Sequence, residues 1–205
     1  MLEGNLVRLR ALELSDLERV YSWINDREVT RYIAARYPKS RADEERWLRG
    51  SSPNSFGGGV QLAIEVMNGE VKNGETKNGE TNDGAHIGNI DLVEVRPEDR
   101  KAGLGVMIGD KDYWSNGYGT DAVVTILRFA FHEMNLNRVW LHAFDFNERA
   151  QACYRKCGFQ EEGRLREHYY TEGQYCDSVV MAVLRHEFEA LYGVGETAVA
   201  VAANV

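Results

Sequence analysis

Ten consecutive residues, Tyr113-Trp114-Ser115-Asn116-Gly117-Tyr118-Gly119-Thr120-Asp121-Ala122, hold the first candidate chemistry. Two glycines in such a run let the backbone turn tightly and aim several N–H groups one way. A helix opening there adds its positive end, and the result is a cradle suited to a pyrophosphate. The run is not a P-loop, because no Gly-Lys-Ser/Thr follows, and the third glycine of the dinucleotide fingerprint is absent. An ordinary tight turn before a helix would show the same two glycines.

A second run, Asn147-Glu148-Arg149-Ala150-Gln151-Ala152-Cys153-Tyr154-Arg155-Lys156-Cys157-Gly158-Phe159, sits just after the next strand-like segment. Asn147 suits an N-cap. Ala150, Tyr154 and Cys157 share one helix face, so the phenol is either a core residue or a proton donor. Together the two runs resemble the GCN5-related N-acetyltransferase (GNAT) family. Its first motif is (Gln/Arg)-x-x-Gly-x-(Gly/Ala) before a helix; its second is Asn-x-x-Ala-x-x-x-Tyr-x-x-x-Gly-Phe. The resemblance runs from about Leu6 to Arg185. The opening, Leu9 through Leu17, and the close, Glu162 through Tyr175, are similar to the branch with ribosomal-protein N-terminal acetyltransferases and spermidine acetyltransferases.

That resemblance implies an α+β fold: a mixed, mostly antiparallel sheet flanked by helices, with two central parallel strands splayed apart. Here those strands would be Leu104–Asp110 and Arg138–Phe144, with acetyl-CoA as cosubstrate between them. The backbone of Met107 and Ile108 would pair with the pantetheine. Amides of Asn116, Gly117, Tyr118, Gly119 and Thr120 would hold the pyrophosphate, and Asn147 would touch the pantetheine arm or cap its helix. Tyr154 would protonate the departing thiolate. The acceptor implied is a primary amine: first a protein N-terminal α-amine, next a small amine such as a polyamine, amino acid or antibiotic. A non-catalytic acyl-CoA sensor is the rival class. A homodimer is expected by the same resemblance.

Three departures stand out. Trp114 replaces the Gln or Arg of the first motif. Gly103 stands where the branch often has an acid, so Glu94 becomes the first candidate for the general base, with Asp91 and His142 behind it. Arg31-Tyr32 is not followed by paired acids, which weighs against a polyamine acceptor. Tyr169 and Tyr170 fall on the strand that usually walls the acceptor pocket, where they would serve equally as hairpin surface.

The elements that must position these groups follow from periodicity. Leu6–Leu12 alternates as a strand, with Val7, Leu9 and Ala11 on one face. Ser15-Asp16-Leu17-Glu18 fits a capping box, and Leu17, Val20, Tyr21 and Ile24 continue at helical spacing. A short helix from Ser40 carries Trp47 and Leu48 inward. Val60–Val66 and His86–Val95 read as strands, Gly119–Met134 and Asn147–Cys157 as helices, and Gln160–Tyr170 with Gln174–Arg185 as a hairpin around Glu172-Gly173. Asn-Gly-Glu recurs at 68–70, 73–75 and 78–80, so 68–84 reads as an expanded, flexible surface turn. Residues 1–192 form one expected domain, and 193–205 an expected frayed tail.

Composition narrows the partners. Of 205 residues, 24 are Lys or Arg and 32 Asp or Glu, a net charge of −8 that disfavours nucleic acid and anionic membranes. No apolar run approaches the roughly 20 residues of a membrane span, and no secretory signal is evident. Three cysteines make no disulfide framework, which points to a cytoplasmic setting. Cys153 and Cys157 lie four apart, but no Cys/His cluster completes a set of ligands, so no metal is expected.

Overall fold

Period-two alternation lays out the strands, and in the computed structural model, which describes residues 1–50, 59–67 and 84–193, these form one sheet. The strands are β1 (Leu2–Glu3), β2 (Val7–Ala11), β3 (Val60–Val66), β4 (His86–Arg96), β5 (Lys101–Ile108), β6 (Arg138–Phe144), β7 (Gln160–Thr171) and β8 (Gln174–Leu184). Their spatial order is β1-β2-β3-β4-β5-β6-β8-β7, and β5–β6 is the parallel pair. The helices are α1 (Leu17–Ile24), α2 (Arg27–Thr30), α3 (Arg41–Gly50), α4 (Tyr118–Arg128), α5 (Glu148–Lys156) and α6 (Arg185–Tyr192). The Asn-Gly-Glu repeat and the tail after Gly193 lie outside the described residues.

The fold is the α+β arrangement expected, and its functional feature is where pairing stops. β5 and β6 are in register from Lys101↔Arg138 to Gly103↔Trp140 and no further. Beyond that point each keeps its outer partner, β5 with β4 up to Gly88↔Ile108 and β6 with β8 up to Phe144↔Ser178. Two facing strand edges are thus left with unpaired backbone groups, a cost that persists only where something satisfies them.

The main core lies between the sheet and α4. Residues Ala122 to Leu127 are all buried, which is why this helix reads as apolar nearly all round rather than striped. A second, smaller cluster of Val20, Trp23 and Val29 gathers on α1 and α2, with Met107, Trp47 and Trp114 against it.

Several boundaries differ from the sequence reading. β5 begins earlier, with Lys101 paired to both Arg96 and Arg138, and ends earlier, where Gly109 and Asp110 both turn their amides to Ile87 O (2.9 and 3.1 Å). Gly109 also lies so close under the Trp23 ring that no side chain fits there. The expected capping box at Ser15 and Glu18 is replaced. The Asp16 carboxylate receives the Glu13 amide at 2.8 Å, and Glu18 pairs with Arg41. Ser40 opens α3 as expected, its hydroxyl accepting from Asp43 N at 3.1 Å. The Glu172-Gly173 hairpin also forms, both residues having positive φ. α4 ends in a π-helical turn, Phe129–Glu133, that periodicity alone does not reveal.

Two ion networks tie the first strands to the rest. Arg10 binds Asp16 through two nitrogens (2.7 and 2.8 Å), and Arg8 and Arg10 share Glu65 on β3. His86 Nδ1 lies 3.2 Å from Asp16. Burial opposes the charge on Asp16, but Arg10 and His86 outweigh it and hold this carboxyl well below the usual range. Asp121, in the first turn of α4, accepts the amides of Asn5, Leu6 and Val7 at 3.1, 2.7 and 3.0 Å.

Candidate active site

The gap between β5 and β6 opens into a cavity of about 170 Å³. β5 forms one wall, α5 another, and the loop before α4 the floor. Backbone parity decides which β5 groups face it. Gly109 N turns to β4, and Met107 O lies directly against Gly88 on β4. Residues of the other parity, Val106 and Ile108, therefore present their backbone to the gap. Met107 lines the cavity through its side chain. The Ile108 carbonyl is taken by the Trp114 indole N–H at 2.7 Å, leaving its amide on the open edge.

The floor is an anion cradle in geometry. Gly117 is left-handed at φ +89° and is the N-cap of α4, and Ser115 before it is also at positive φ. Gly117 brings no capping side chain, so the first-turn amides of Tyr118, Gly119 and Thr120 stay open to an acceptor. Asn116 uses its side chain on Asp112 O at 3.3 Å. Asp121 spends its negative charge on the N-terminal amides, away from the cradle. A diphosphate fits these donors, and a pantetheine amide fits the free strand edge.

Trp114 does more than replace a polar residue. Its ring carries the Arg149 guanidinium at 4.2 Å, and Tyr32 adds a second face at 5.3 Å. Arg149 thereby brings to the cavity mouth the positive charge that position 114 lacks. Position 149 sits in the second motif, but only the fold reveals what it faces.

Tyr154 is buried on α5 and lines the cavity. Burial raises its pKa, and the charges of Cys153, Cys157 and Asp91 add to that, so the phenol keeps its proton at neutral pH. Asn147 caps α5 by accepting Ala150 N at 3.2 Å and also lines the cavity. Gln151, missed in the sequence, braces the same turn through Phe144 O (3.1 Å) and Asp145 O (3.0 Å). Cys153 faces the cavity, 3.2 Å from the Thr120 hydroxyl. The neighbouring Cys157 thiol and the Thr120 hydroxyl, against burial, hold the Cys153 thiol below its ordinary pKa.

The Glu94 carboxylate is not brought here. The β-bulge between Val93 and Arg96 throws Glu94 into solvent at φ +49°, and it lines neither this cavity nor the next. His142 is also exposed, hydrogen-bonded to Ser178 at 2.7 Å. Tyr169 packs edge-on against Phe144, and Tyr170 against Tyr175.

A second cavity of about 360 Å³ lies on the α1–α3 side of β5 and shares Ile33, Val106 and Met107 with the first. Its charged lining is Asp43, Glu44 and Asp91 against Lys39. Burial raises the pKa values of both Glu44 and Asp91. Among the described residues no group of His, Cys, Asp and Glu is arranged to hold a metal, and no helix is long and apolar enough to cross a membrane.

A splayed parallel pair, an amide cradle at a helix start and a buried phenol between them define an acyl-CoA-dependent transferase. Residues 7–160 match the Acetyltransferase (GNAT) domain model, and the chain belongs to the GNAT family. It is an N-acetyltransferase that uses acetyl-CoA. Spermidine N(1)-acetyltransferase of Escherichia coli (strain K12) is 27% identical over 190 residues, 93% of this chain and 92% of that one. The ribosomal N-acetyltransferase-like protein YdaF of Bacillus subtilis (strain 168) is 36% identical over 106 residues, 52% of this chain and 57% of its own. Among solved structures, Vibrio cholerae spermidine N-acetyltransferase in complex with CoA and spermine superposes with a TM-score of 0.75. That match has 24% identity and covers 90% of this chain and 99% of that one.

Proposed function

We propose that the protein transfers the acetyl group of acetyl-CoA to a primary amine of a small, multiply charged cation of the polyamine class. The observation that carries this is the acidic cavity joined to the coenzyme cavity across β5. Glu44 and Asp91, with Asp43 already paired to Arg46, face one lysine there, a net acidic lining that favours an acceptor with more than one ammonium. The 27% identity to a relative named for spermidine acts in the same direction. The absence of paired acids after Tyr32, which argued against a polyamine in the sequence, is offset by Asp43, Glu44 and Asp91 from other segments.

In this reading α4 and the loop before it anchor the pyrophosphate, Arg149 adds charge at the mouth, and the β5 edge aligns the pantetheine. The thioester carbonyl then lies where β5 and β6 part. A backbone N–H on that edge stabilises the oxygen as charge develops. Tyr154 donates its proton to the leaving sulfur.

A protein N-terminal α-amine, the acceptor that the branch resemblance places first, keeps the support of the 36% identity to YdaF. Thiol release from acetyl-CoA with spermidine, spermine, single amino acids and short peptides separates the two. Turnover with the polyamines at least tenfold above the peptides is expected. Turnover with peptides alone would transfer the assignment to protein termini.

A further inference from the structure

The site described above has an acid but no base. A primary amine has a pKa near 10, so roughly one molecule in a thousand is neutral at pH 7. Something must take a proton before attack. Gly103, at the last β5–β6 pair, has Trp140 and Val93 where a side chain would start (3.2 and 3.1 Å) and offers no group.

We infer that Asp91 is the general base, the carboxylate that receives the proton of the acceptor ammonium. This rests on the acetyl-transfer reading. Asp91 pairs with Gly105 across β4–β5, and its carboxyl lies over Gly105 so closely that any side chain there would collide with Oδ1. Gly105 is two residues past the last β5–β6 pair, so the carboxyl stands at the opening of the splay. Its Oδ1 is buried without a hydrogen-bond partner. A lone acceptor atom in an acidic cavity suits a donor brought in by substrate.

The surroundings keep this carboxyl basic. α3 directs Asp43 and Glu44 at the same cavity, Lys39 lies before it, and β3 sets Gln61 opposite. Burial raises the pKa of Asp91 towards the range useful to a base. Asp91 lines the second cavity and Tyr154 the first, and the two cavities share Val106 and Met107 where β5 leaves β6.

The proton balance closes. Asp91 takes one proton from the ammonium and passes it to solvent. The freed nitrogen lone pair forms the N–C bond, the C–S bond breaks, and sulfur takes the Tyr154 proton. Tyr154 recovers a proton from the acetylated nitrogen, giving amide and thiol.

The test is Asp91→Asn assayed with two acceptors at pH 7: spermidine, which is protonated, and 2,2,2-trifluoroethylamine, which is largely neutral. A fall of about 100-fold or more in kcat with spermidine and under tenfold with the weak base is expected. Equal losses, or none, would overturn the assignment. A second measurement needs no variant and no turnover: the carboxyl carbon-13 resonance of Asp91 in the wild-type protein. It should titrate above the ordinary Asp range and shift when spermidine is added; a resonance indifferent to the amine overturns the role. Wild-type protein that binds CoA yet releases no thiol with any amine would instead sink the acetyl-transfer reading itself.

Discussion

Tyr154 illustrates how burial selects chemistry. A phenol in water ionises near pH 10; inside the α5 face, burial and the neighbouring Cys153, Cys157 and Asp91 push it higher. The hydroxyl therefore stays protonated wherever the enzyme works, which is what a donor to a thiolate requires. Tyr154→Phe should lower kcat by about 100-fold while leaving the acetyl-CoA dissociation constant within twofold. Stopped-flow turnover and calorimetry check the two halves. With the phenol held protonated, wild-type kcat should not fall up to pH 10 through its ionisation, and a pH–rate profile reads this directly. Arg149 and Trp114 make a related point about recognising residues: the cation of the first motif is missing at position 114 and returns from position 149 through ring stacking.

At the scale of elements, the start of α4 matters most. Gly117 at φ +89° sets the amides of Tyr118 to Thr120, and a Cβ there meets only Leu6 Cδ1 at an ordinary 3.6 Å. Gly117→Ala thus tests conformation rather than space. It should cost about 1–2 kcal/mol, seen as a lower melting temperature. Calorimetry should also find coenzyme binding roughly tenfold weaker, because the cradle opens. This element was legible in the sequence because glycine spacing and helix start are local signals, as were the α5 motif and the Glu172-Gly173 turn. The acceptor side was not. Asp43, Glu44 and Asp91 come from α3 and β4, and only sheet packing brings them together. Glu94 was the more prominent acid in the sequence, but a bulge, invisible to periodicity, ejects it and leaves Asp91 facing inward. Backbone parity on β5 likewise needed the β4 register, which turns Met107 O away and Val106 towards the gap.

Across the whole molecule, the network of Arg8, Arg10, Asp16, Glu65 and His86 joins β2, β3, β4 and the turn before α1. Its charges are mostly buried, so removing one partner leaves another uncompensated. Asp16→Asn should destabilise the protein by about 3–5 kcal/mol at pH 7. Asp16 is held below its ordinary value, so its contribution is present above the unfolded pKa near 4 and lost as pH falls through the folded one. The gap between wild type and variant, measured by urea unfolding, should therefore be constant from pH 7 to 5 and narrow below pH 4.

Asp121 holds the amides of residues 5 to 7 from the first turn of α4, the helix proposed to grip the coenzyme. Those three amides thus neutralise a carboxylate that would otherwise face the proposed coenzyme site. Without those amides a bare carboxylate would stand in the same helical turn as the proposed diphosphate donors, and the anion would meet electrostatic repulsion there.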